Sequence, residues 1–233
     1  MPIEADATIK VALEAGGVVG GASALASYGV WVTALPRPQI ATPPNKGVRS
    51  VTTGDRIWEP CTLDDLPWRV SILDALVQHA RRVDTVDAIA SIDSAWHQGL
   101  IDESGVEHLF RRLPKRCARW RRLLDPKAES GLESLVRVPC LARGWTVESQ
   151  VPAPSGGRSD LLIDDWLYVE TDGDEWHDNA RQAAKDRRRN RAAIDEDSVE
   201  LRFGYADVVH GIELTMASIA RVLAAGRPRR AAS

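Results

Sequence analysis

The sequence has few cysteines, and their placement limits the kinds of site it can build. Cys61, Cys117 and Cys140 are odd in number, widely spaced and without a CxxC pair, which argues against a disulfide framework and a zinc ribbon. No run approaches the roughly 18 apolar residues of a membrane span, and the N-terminus lacks a basic stretch followed by an apolar signal core. These absences predict a cytoplasmic protein in a reducing compartment, with no membrane partner.

Neither sign of charge dominates, because 30 Lys and Arg residues against 33 Asp and Glu residues give a formal net charge of -3. This balance argues against a protein that coats nucleic acid over its whole surface. The cations are nevertheless clustered in two blocks. The first block has no acid and comprises Arg111, Arg112, Lys115, Arg116, Arg119, Arg121 and Arg122; the second comprises Lys185, Arg187, Arg188, Arg189 and Arg191. Such blocks are either solvated helix faces or surfaces that bind a polyanion.

Residues 158–177, RSDLLIDDWLYVETDGDEWH, carry the most informative pattern. Two apolar runs separated by Asp164 and Asp165 predict a β-hairpin with a tight turn. Asp160 lies near the start of the first run, and Glu170 and Asp172 follow the second. The hairpin therefore brings three carboxylates close together, a few residues before His177.

Acidic residues at strand ends are most often solvated caps, and each of these three taken alone fits that interpretation. As a group they flank apolar residues, where an unpaired carboxylate would cost several kcal/mol if it were buried. Oxygen ligands that converge in this way suit a hard divalent cation, Mg²⁺ or Mn²⁺. The sequence therefore predicts a metal site at the hairpin.

The C-terminal part of the chain predicts a single order of elements. A helix over about 130–143 is followed by strands near 146–150, 158–163 and 167–171, a charged helix over about 179–194, a strand at 199–203 and a last helix over about 206–225. The fold class is thus α/β, with an αβββαβα order. Residues 1–68 read as a small mixed α/β region, residues 69–126 as helical with a basic helix between Pro114 and Pro126, and residues 226–233 as a flexible tail. Ser104 and Glu107 predict a capping box for one of the middle helices.

The C-terminal order and its acids resemble the PD-(D/E)XK, or restriction-endonuclease-like, superfamily, and specifically the very-short-patch-repair endonuclease-like domain. The resemblance covers residues 127–225. It rests on these segments: Glu129-Ser-Gly-Leu-Glu133-Ser, Arg158-Ser-Asp160-Leu-Leu, Val169-Glu170-Thr-Asp172-Gly173, His177, Asp186-Arg187-Arg188-Arg189-Asn190 and Leu201-Arg202-Phe203. The segments Ser71-Ile-Leu-Asp-Ala-Leu-Val77 and Ser91-Ile-Asp-Ser-Ala95 are similar to the helical part of AbiEi-type antitoxin-like proteins, with a shortened winged-helix region before them.

The resemblance implies that Asp160 and Glu170 bind Mg²⁺ and that Glu133 reaches a metal-bound water or a second ion. Asp172 stands where the superfamily has its lysine, and Trp176 replaces the first of two histidines, which leaves His177. His177 would exchange a proton with water or with the leaving oxygen, and Asp172 could hold its tautomer.

Several residues are candidates for nucleic-acid contacts. They are Arg116, Arg119 and Arg122 in the first basic block, Arg187 and Arg188 as phosphate clamps in the second, and Trp176 as a stacking platform. The sequence therefore predicts a metal-dependent DNA endonuclease, with RNA also open as a substrate and a homodimer open as the assembly. The settings are DNA repair, phage defence or a toxin–antitoxin pair with a partner protein. Two alternatives stay open: a noncatalytic DNA-binding antitoxin-like regulator with a degenerate nuclease fold, and a protein-binding module that neutralises a toxin.

Overall fold

Short capped helices and short strands alternate along the computed structural model, which describes residues 2–35, 37–42, 54–154, 156–173 and 198–228. The helices are α1 Pro2–Glu14, α2 Gly21–Ser27, α3 Ile72–Ala80, α4 Thr85–His97, α5 Glu103–Arg112, α6 Gly131–Ala142, α7 Tyr205–Val209 and α8 Ile212–Ala225, with a 3-10 helix at Lys115–Leu123. The strands are β1 Val18–Val19, β2 Gln39–Ala41, β3 Asp55–Ile57, β4 Val147–Pro152, β5 Arg158–Ile163, β6 Leu167–Asp172 and β7 Val199–Gly204.

The chain divides into two compact units, Met1–Pro126 and Lys127–Ser233. The first unit holds a small sheet in which β1 pairs antiparallel with β2, and β2 pairs parallel with β3. A bridge between Val19 and Arg69 ties β1 to the segment before α3. Residues 1–68 and 69–126, which the sequence predicts as two regions, lie in this one unit.

The helices of the first unit start at side-chain caps. Ser71 caps α3 through Asp74 N, and Asp84 caps α4 through Val86 N and Asp87 N. The capping box predicted at Ser104 is wrong: Asp102 caps α5 by accepting from Gly105 N at 2.8 Å, so the helix begins at Glu103. Aspartate is as good a cap as serine, and Asp102 comes earlier in the chain.

The predicted basic helix is a 3-10 helix, and α5 ends before it at Arg112. Pro114 separates the two helices and provides the N-cap of the second. Because proline disfavours helical conformation in the residue before it, Leu113 is extended, with ψ 154. The basic block of the sequence is therefore divided between two helices of different geometry.

The second unit is built on a four-stranded sheet of order β4-β5-β6-β7. The first two pairings are antiparallel, and β6 pairs with β7 in parallel. Its core consists of the apolar residues of α6, the middle strands and the C-terminal helices, all almost fully buried: Leu132, Val136, Leu161, Ile163, Leu167, Val169, Val208, Met216 and Ile219. This packing fixes where the acidic ends of β5 and β6 lie.

The tight turn predicted between β5 and β6 is confirmed. Asp164 and Asp165 have φ values of 47° and 64°, and Trp166 N donates to Ile163 O at 3.3 Å. Two consecutive residues with positive φ are typical of the type I′ turn, which suits the twist of a two-residue hairpin. Asp164 also accepts hydrogen bonds from Thr146 N and Thr146 Oγ1, so the turn is tied to the start of β4.

The predicted last helix is two helices, α7 and α8, separated at His210 and Gly211. Thr215 Oγ1 donates to Asp207 O at 2.9 Å across this break. The described residues form a mixed α/β structure with two mixed sheets. Among the helices of the described ranges, none combines the length and the apolarity needed to cross a membrane.

Candidate active site

Asp160 lies where β5 and β6 separate. The backbone pairing of these strands reaches Leu161 opposite Val169, and beyond it side chains make the connections. Ser159 Oγ donates to Val169 O at 3.3 Å, while Asp160 Oδ2 accepts from Thr171 N at 2.7 Å and from Thr171 Oγ1 at 3.0 Å. The carboxylate is thus held between the two strands by one of its two oxygens.

The electrostatic surroundings of Asp160 disfavour its charge. Burial raises the pKa of this carboxyl, the hydrogen bonds from Thr171 lower it, and the nearby negative charges of Glu170 and Asp172 raise it further, so that the pKa ends above its usual value. Within the described residues, no lysine, arginine or histidine forms an ion pair with Asp160. A cation placed beside Asp160 would relieve this repulsion.

Glu170 and Asp172 share a single arginine from the neighbouring strand. Arg202 is the register partner of Glu170 in the parallel pairing of β6 with β7. Its Nη2 donates to Glu170 Oε2, and its Nε lies 3.3 Å from Asp172 Oδ2. Glu170 and Arg202 are both largely buried, whereas Asp172 is partly exposed. Both acids at the end of β6 are therefore compensated by an arginine on the next strand.

Glu133 is 2% exposed and fixes the start of α6. Its Oε1 accepts from Ser130 N at 2.8 Å, and Ser130 Oγ accepts from Glu133 N, which completes a capping box. Its Oε2 accepts from Glu129 N at 3.1 Å and from Gln150 Nε2 at 2.9 Å. Burial raises the pKa of Glu133 to about 6, and the charge of Asp160 adds to that effect. Both oxygens are thus engaged in holding the backbone and Gln150.

Gln150 adopts a backbone conformation that is uncommon for a residue with a side chain. Its φ is 56°, although it lies inside β4, between the paired residues Ser149 and Val151. A left-handed conformation in a residue other than glycine costs about 1–2 kcal/mol, and such strain concentrates at functional sites. The amide of Gln150 is thereby placed against Glu133, which links β4 to the start of α6.

The described residues offer a divalent cation only a small set of carboxylate ligands. Within them, no group of three or more His, Cys, Asp or Glu side chains has an arrangement that could hold a metal ion. Mg²⁺ needs fewer protein ligands, because it keeps several waters and is commonly held by one or two carboxylates. Asp160 and Glu170 supply two carboxylates on adjacent strands, and Asp160 lacks an ion-pair partner in the described ranges. This donor set fits Mg²⁺ or Mn²⁺ as a two-carboxylate site.

Four of the predicted site residues lie outside the described residues: Trp176, His177, Arg187 and Arg188. The charged helix predicted over about 179–194 lies there as well. The structure brings together the other acids in the second unit and places Arg116, Arg119 and Arg122 on the 3-10 helix of the first unit, where all three are exposed. Glu129 forms an ion pair with Arg158 Nη2 at 2.6 Å on the surface.

Comparisons with family models, with curated proteins and with solved structures gave no match to this chain. The chemistry of the site is therefore inferred from its own residues and their geometry.

Three residues of the site, Arg202, Gln150 and Thr171, have no role in the prediction from the sequence. A signal for Arg202 exists, because an arginine inside the apolar stretch Leu201–Phe203 needs an acidic partner. Thr171 stands between two predicted site acids, and a hydroxyl beside a buried carboxylate is a candidate donor. No signal exists for Gln150, because a positive φ in a strand is set by tertiary contacts.

Proposed function

We propose that this protein is a metal-dependent nuclease that hydrolyses phosphodiester bonds of DNA at Asp160 and Glu170, with Mg²⁺ or Mn²⁺ as its cofactor. The observation that carries the proposal is the position of Asp160. It is a half-buried carboxylate between two separating strands, next to two further acids and without a cation partner among the described residues.

A half-buried acid with this surplus of negative charge is unfavourable unless a cation is bound. The cluster also lies at the ends of strands of a mixed sheet that follows a capped helix, in the order α6, β4, β5, β6. This order supports a restriction-endonuclease-like core for the second unit, and it motivates a phosphodiester as the substrate. DNA is the proposed partner, RNA is a second substrate to be tested, and the cytoplasm is the proposed location.

Each residue of the cluster has a distinct proposed role. Asp160 and Glu170 would hold the cation. A bound divalent cation supplies stabilisation of the charge that develops on the phosphate and makes water a better nucleophile. Arg202 compensates part of the charge of Glu170 and Asp172, so that the site does not carry three uncompensated carboxylates. Glu133 and Gln150 position α6 and β4 against Asp160.

The proton transfer is assigned from the sequence to His177, whose ordinary pKa lies close to neutral pH. A histidine at that position could accept a proton from the attacking water or donate one to the leaving 3′ oxygen. The proposed order of importance for activity is therefore Asp160 and Glu170 first, then His177.

The decisive experiment compares hydrolysis by the wild-type protein and by Asp160→Asn and Glu170→Gln variants. Supercoiled, linear and mismatched DNA and single-stranded RNA are incubated in Mg²⁺, Mn²⁺ or EDTA. Loss of a cation ligand removes several kcal/mol of transition-state stabilisation, so cleavage should fall on the order of 10³-fold in each variant. Glu148→Gln, which removes an exposed acid from β4, is the matched control and should keep full activity. Cleavage that survives Asp160→Asn would refute the proposal.

A second candidate function is a noncatalytic DNA-binding regulator of the antitoxin-like type. Arg202 favours it, because the guanidinium already supplies a cation to Glu170 and Asp172. In that case, the folded wild-type protein would cleave neither DNA nor RNA with any metal, and Asp160→Asn would bind DNA as the wild type does. A toxin partner is then the first protein ligand to test.

A further inference from the structure

The 3-10 helix at Lys115–Leu123 sorts its side chains into three rows. With three residues per turn, side chains at positions i and i+3 eclipse each other, whereas in an α-helix they would be rotated apart. Cys117 and Trp120 form the row that is buried against the first unit, with 1% and 6% exposure. The positions between them are exposed. Burial at every third residue is the expected result of this geometry.

One of the two exposed rows consists entirely of arginine. Arg116, Arg119 and Arg122 occupy successive turns of the 3-10 helix, and all three are exposed. The rise of about 2.0 Å per residue places successive members of this arginine row about 6 Å apart. Three guanidinium groups therefore follow one edge of the helix in a line, whereas an α-helix would have spread them over an arc of about 120°.

Three arginines of the same block, Arg111, Arg112 and Arg121, have partners in the first unit. Arg121 Nη1 donates to Glu107 Oε1 at 3.1 Å and its guanidinium lies over the ring of Phe110. Arg112 forms an ion pair with Asp74, and Arg111 lies 4.0 Å from Glu107. For the arginine row, by contrast, the described part of the chain offers no acidic partner. Within the described residues, the uncompensated positive charge of the block thus lies on the arginine row and on Lys115.

Hydrogen bonding within the segment does not by itself explain why it forms a 3-10 helix of this length. Runs of 3-10 helix longer than three or four residues are uncommon, because the hydrogen-bond geometry is poorer than in an α-helix. This run has nine residues, starts after Pro114 and is anchored by a buried cysteine and a buried tryptophan. The anchored row beneath fixes the direction of the arginines above it.

A line of arginines about 6 Å apart suits a linear polyanion, because a single small anion would be bound by groups that converge on one point. Nucleic acid carries its charge in this form, with one phosphate per about 3.4 Å of axis in each strand. Arginine donates two parallel hydrogen bonds to a phosphate, which lysine cannot do. We propose that the arginine row, Arg116, Arg119 and Arg122, binds the phosphodiester backbone of a nucleic acid independently of the carboxylate cluster.

The test uses the full-length protein in EDTA, so that binding is measured without hydrolysis. Affinity for a fluorescein-labelled DNA duplex of mixed sequence is measured by anisotropy over a range of salt concentrations, with single-stranded RNA as a second probe. The row variant carries Arg116→Gln, Arg119→Gln and Arg122→Gln. The matched control carries Arg111→Gln, Lys115→Gln and Arg121→Gln, which removes the same charge from the same block.

The row variant should bind on the order of tenfold or more weakly, and the slope of log K against log salt should become shallower by about 3, one for each lost phosphate contact. A row variant with lysine at the three positions should keep the salt slope but bind more weakly than the wild type. Thermal unfolding checks that the exposed substitutions leave the fold intact. RNA bound more tightly than the duplex, with the same dependence on the row, also supports the proposal and identifies RNA as the ligand.

Three results would overturn the proposal. The first is an equal loss of affinity in the row variant and the matched control, which would indicate a general charge effect. The second is the absence of binding of either nucleic acid by the wild-type protein. The third is displacement of the duplex by polyglutamate at an equal concentration of charge, which would indicate an acidic protein partner. Because binding is measured in EDTA and hydrolysis in Mg²⁺ or Mn²⁺, failure of hydrolysis and failure of binding are distinguished.

Discussion

Two aspartates, the buried Asp74 of the first unit and the half-buried Asp160 of the second, differ in the partners of their carboxylates. Asp74 is 2% exposed and accepts four hydrogen bonds: Oδ2 accepts from Thr62 N, Thr62 Oγ1 and Ser71 Oγ, and Oδ1 accepts from Arg112. Burial alone would raise the pKa of Asp74, but the hydrogen bonds from Thr62 and Arg112 bring it below its usual value.

Asp160 has one oxygen engaged, by Thr171, and its nearby charges are acids. Burial and these acids raise its pKa above the usual value. Burial of a carboxylate is therefore not itself a sign of function. A carboxylate that is saturated with donors stabilises the fold, and one that is left with excess negative charge is a candidate for binding a cation.

The largest predicted effect comes from the same substitution made in both regions. Asp74→Asn removes the charge that pairs with Arg112 and should lower the free energy of unfolding by about 3–5 kcal/mol. Asp160→Asn removes a charge that its neighbours disfavour and should leave stability at neutral pH unchanged or higher. Urea unfolding followed by circular dichroism measures both. Equal destabilisation by the two substitutions would contradict the view that the charge is stabilised at Asp74 and disfavoured at Asp160.

The second prediction concerns Arg202, which pairs with a largely buried Glu170. Arg202→Gln leaves that carboxylate with less compensation and should cost about 3 kcal/mol of stability in the absence of metal. If Asp160 and Glu170 bind a cation, Mg²⁺ should restore part of this loss, because a ligand of the native state stabilises it by mass action. The readout is the midpoint of thermal unfolding with and without Mg²⁺.

The control for Arg202 is Arg158→Gln, which breaks the exposed pair with Glu129. Exposed pairs contribute about 0–1 kcal/mol, so this variant should unfold much as the wild type does, with or without Mg²⁺. An Arg202→Gln protein that is destabilised and does not respond to Mg²⁺ or Mn²⁺ would favour the regulator over the nuclease.

The third prediction is a dependence of stability on pH through His79 in the first unit. The side chain is 4% exposed, and within the described residues neither ring nitrogen has a hydrogen-bond partner. Burial lowers the pKa of His79 from 6.5 to about 4. The unfolded chain therefore binds a proton more readily than the folded protein between about pH 6.5 and about pH 4. The free energy of unfolding falls by about 3 kcal/mol in all as the pH is lowered through this range.

His79→Leu should remove this loss, as measured by urea unfolding at about pH 7 and about pH 4. Glu133 acts in the opposite sense: its pKa is raised from 4.5 to about 6, so its ionised form costs stability above pH 6 and that cost disappears in acid. The His79→Leu protein should therefore become less sensitive to acid than the wild type. An unchanged difference between the two pH values in the variant would contradict the role given to His79.

The smallest predicted effect tests the strained backbone at Gln150. Gln150→Ala and Gln150→Gly both lose the hydrogen bond to Glu133 Oε2, but only glycine adopts a φ of 56° without strain. The glycine variant should therefore be more stable than the alanine variant by about 1 kcal/mol, although glycine is ordinarily the less stable of the two in a strand. An alanine variant of greater stability would indicate that the strand is regular at this position.

The parts of the fold that were predictable depend on short-range patterns. The two apolar runs around Asp164 and Asp165 gave a hairpin with the expected turn, because few residue pairs accept two positive φ values. The start of α6 is just as local, since Ser130 and Glu133 stand at the spacing of a capping box. The position of Asp160 and Glu170 near the facing ends of β5 and β6 follows from the hairpin.

The parts that were not predictable depend on tertiary contacts. The run RRLPKRCARWRR has the composition of a helix, and nothing in its spacing distinguishes three residues per turn from 3.6 before the burial of Cys117 and Trp120 is known. The pairing of Arg202 with both Glu170 and Asp172 depends on the register of two strands that are far apart in the sequence. The conformation of Gln150 is set in the same way.

The three-residue repeat of the basic helix makes the pattern of buried and exposed side chains sensitive to the length of the segment. Replacing one side chain changes one position, but deleting one residue between Arg116 and Arg121 shifts every later side chain into the next row. The shift would bring an arginine to the row that Cys117 and Trp120 now fill, and burying that charge would cost several kcal/mol. This segment should therefore tolerate many substitutions in evolution or in a mutant library but almost no change of length.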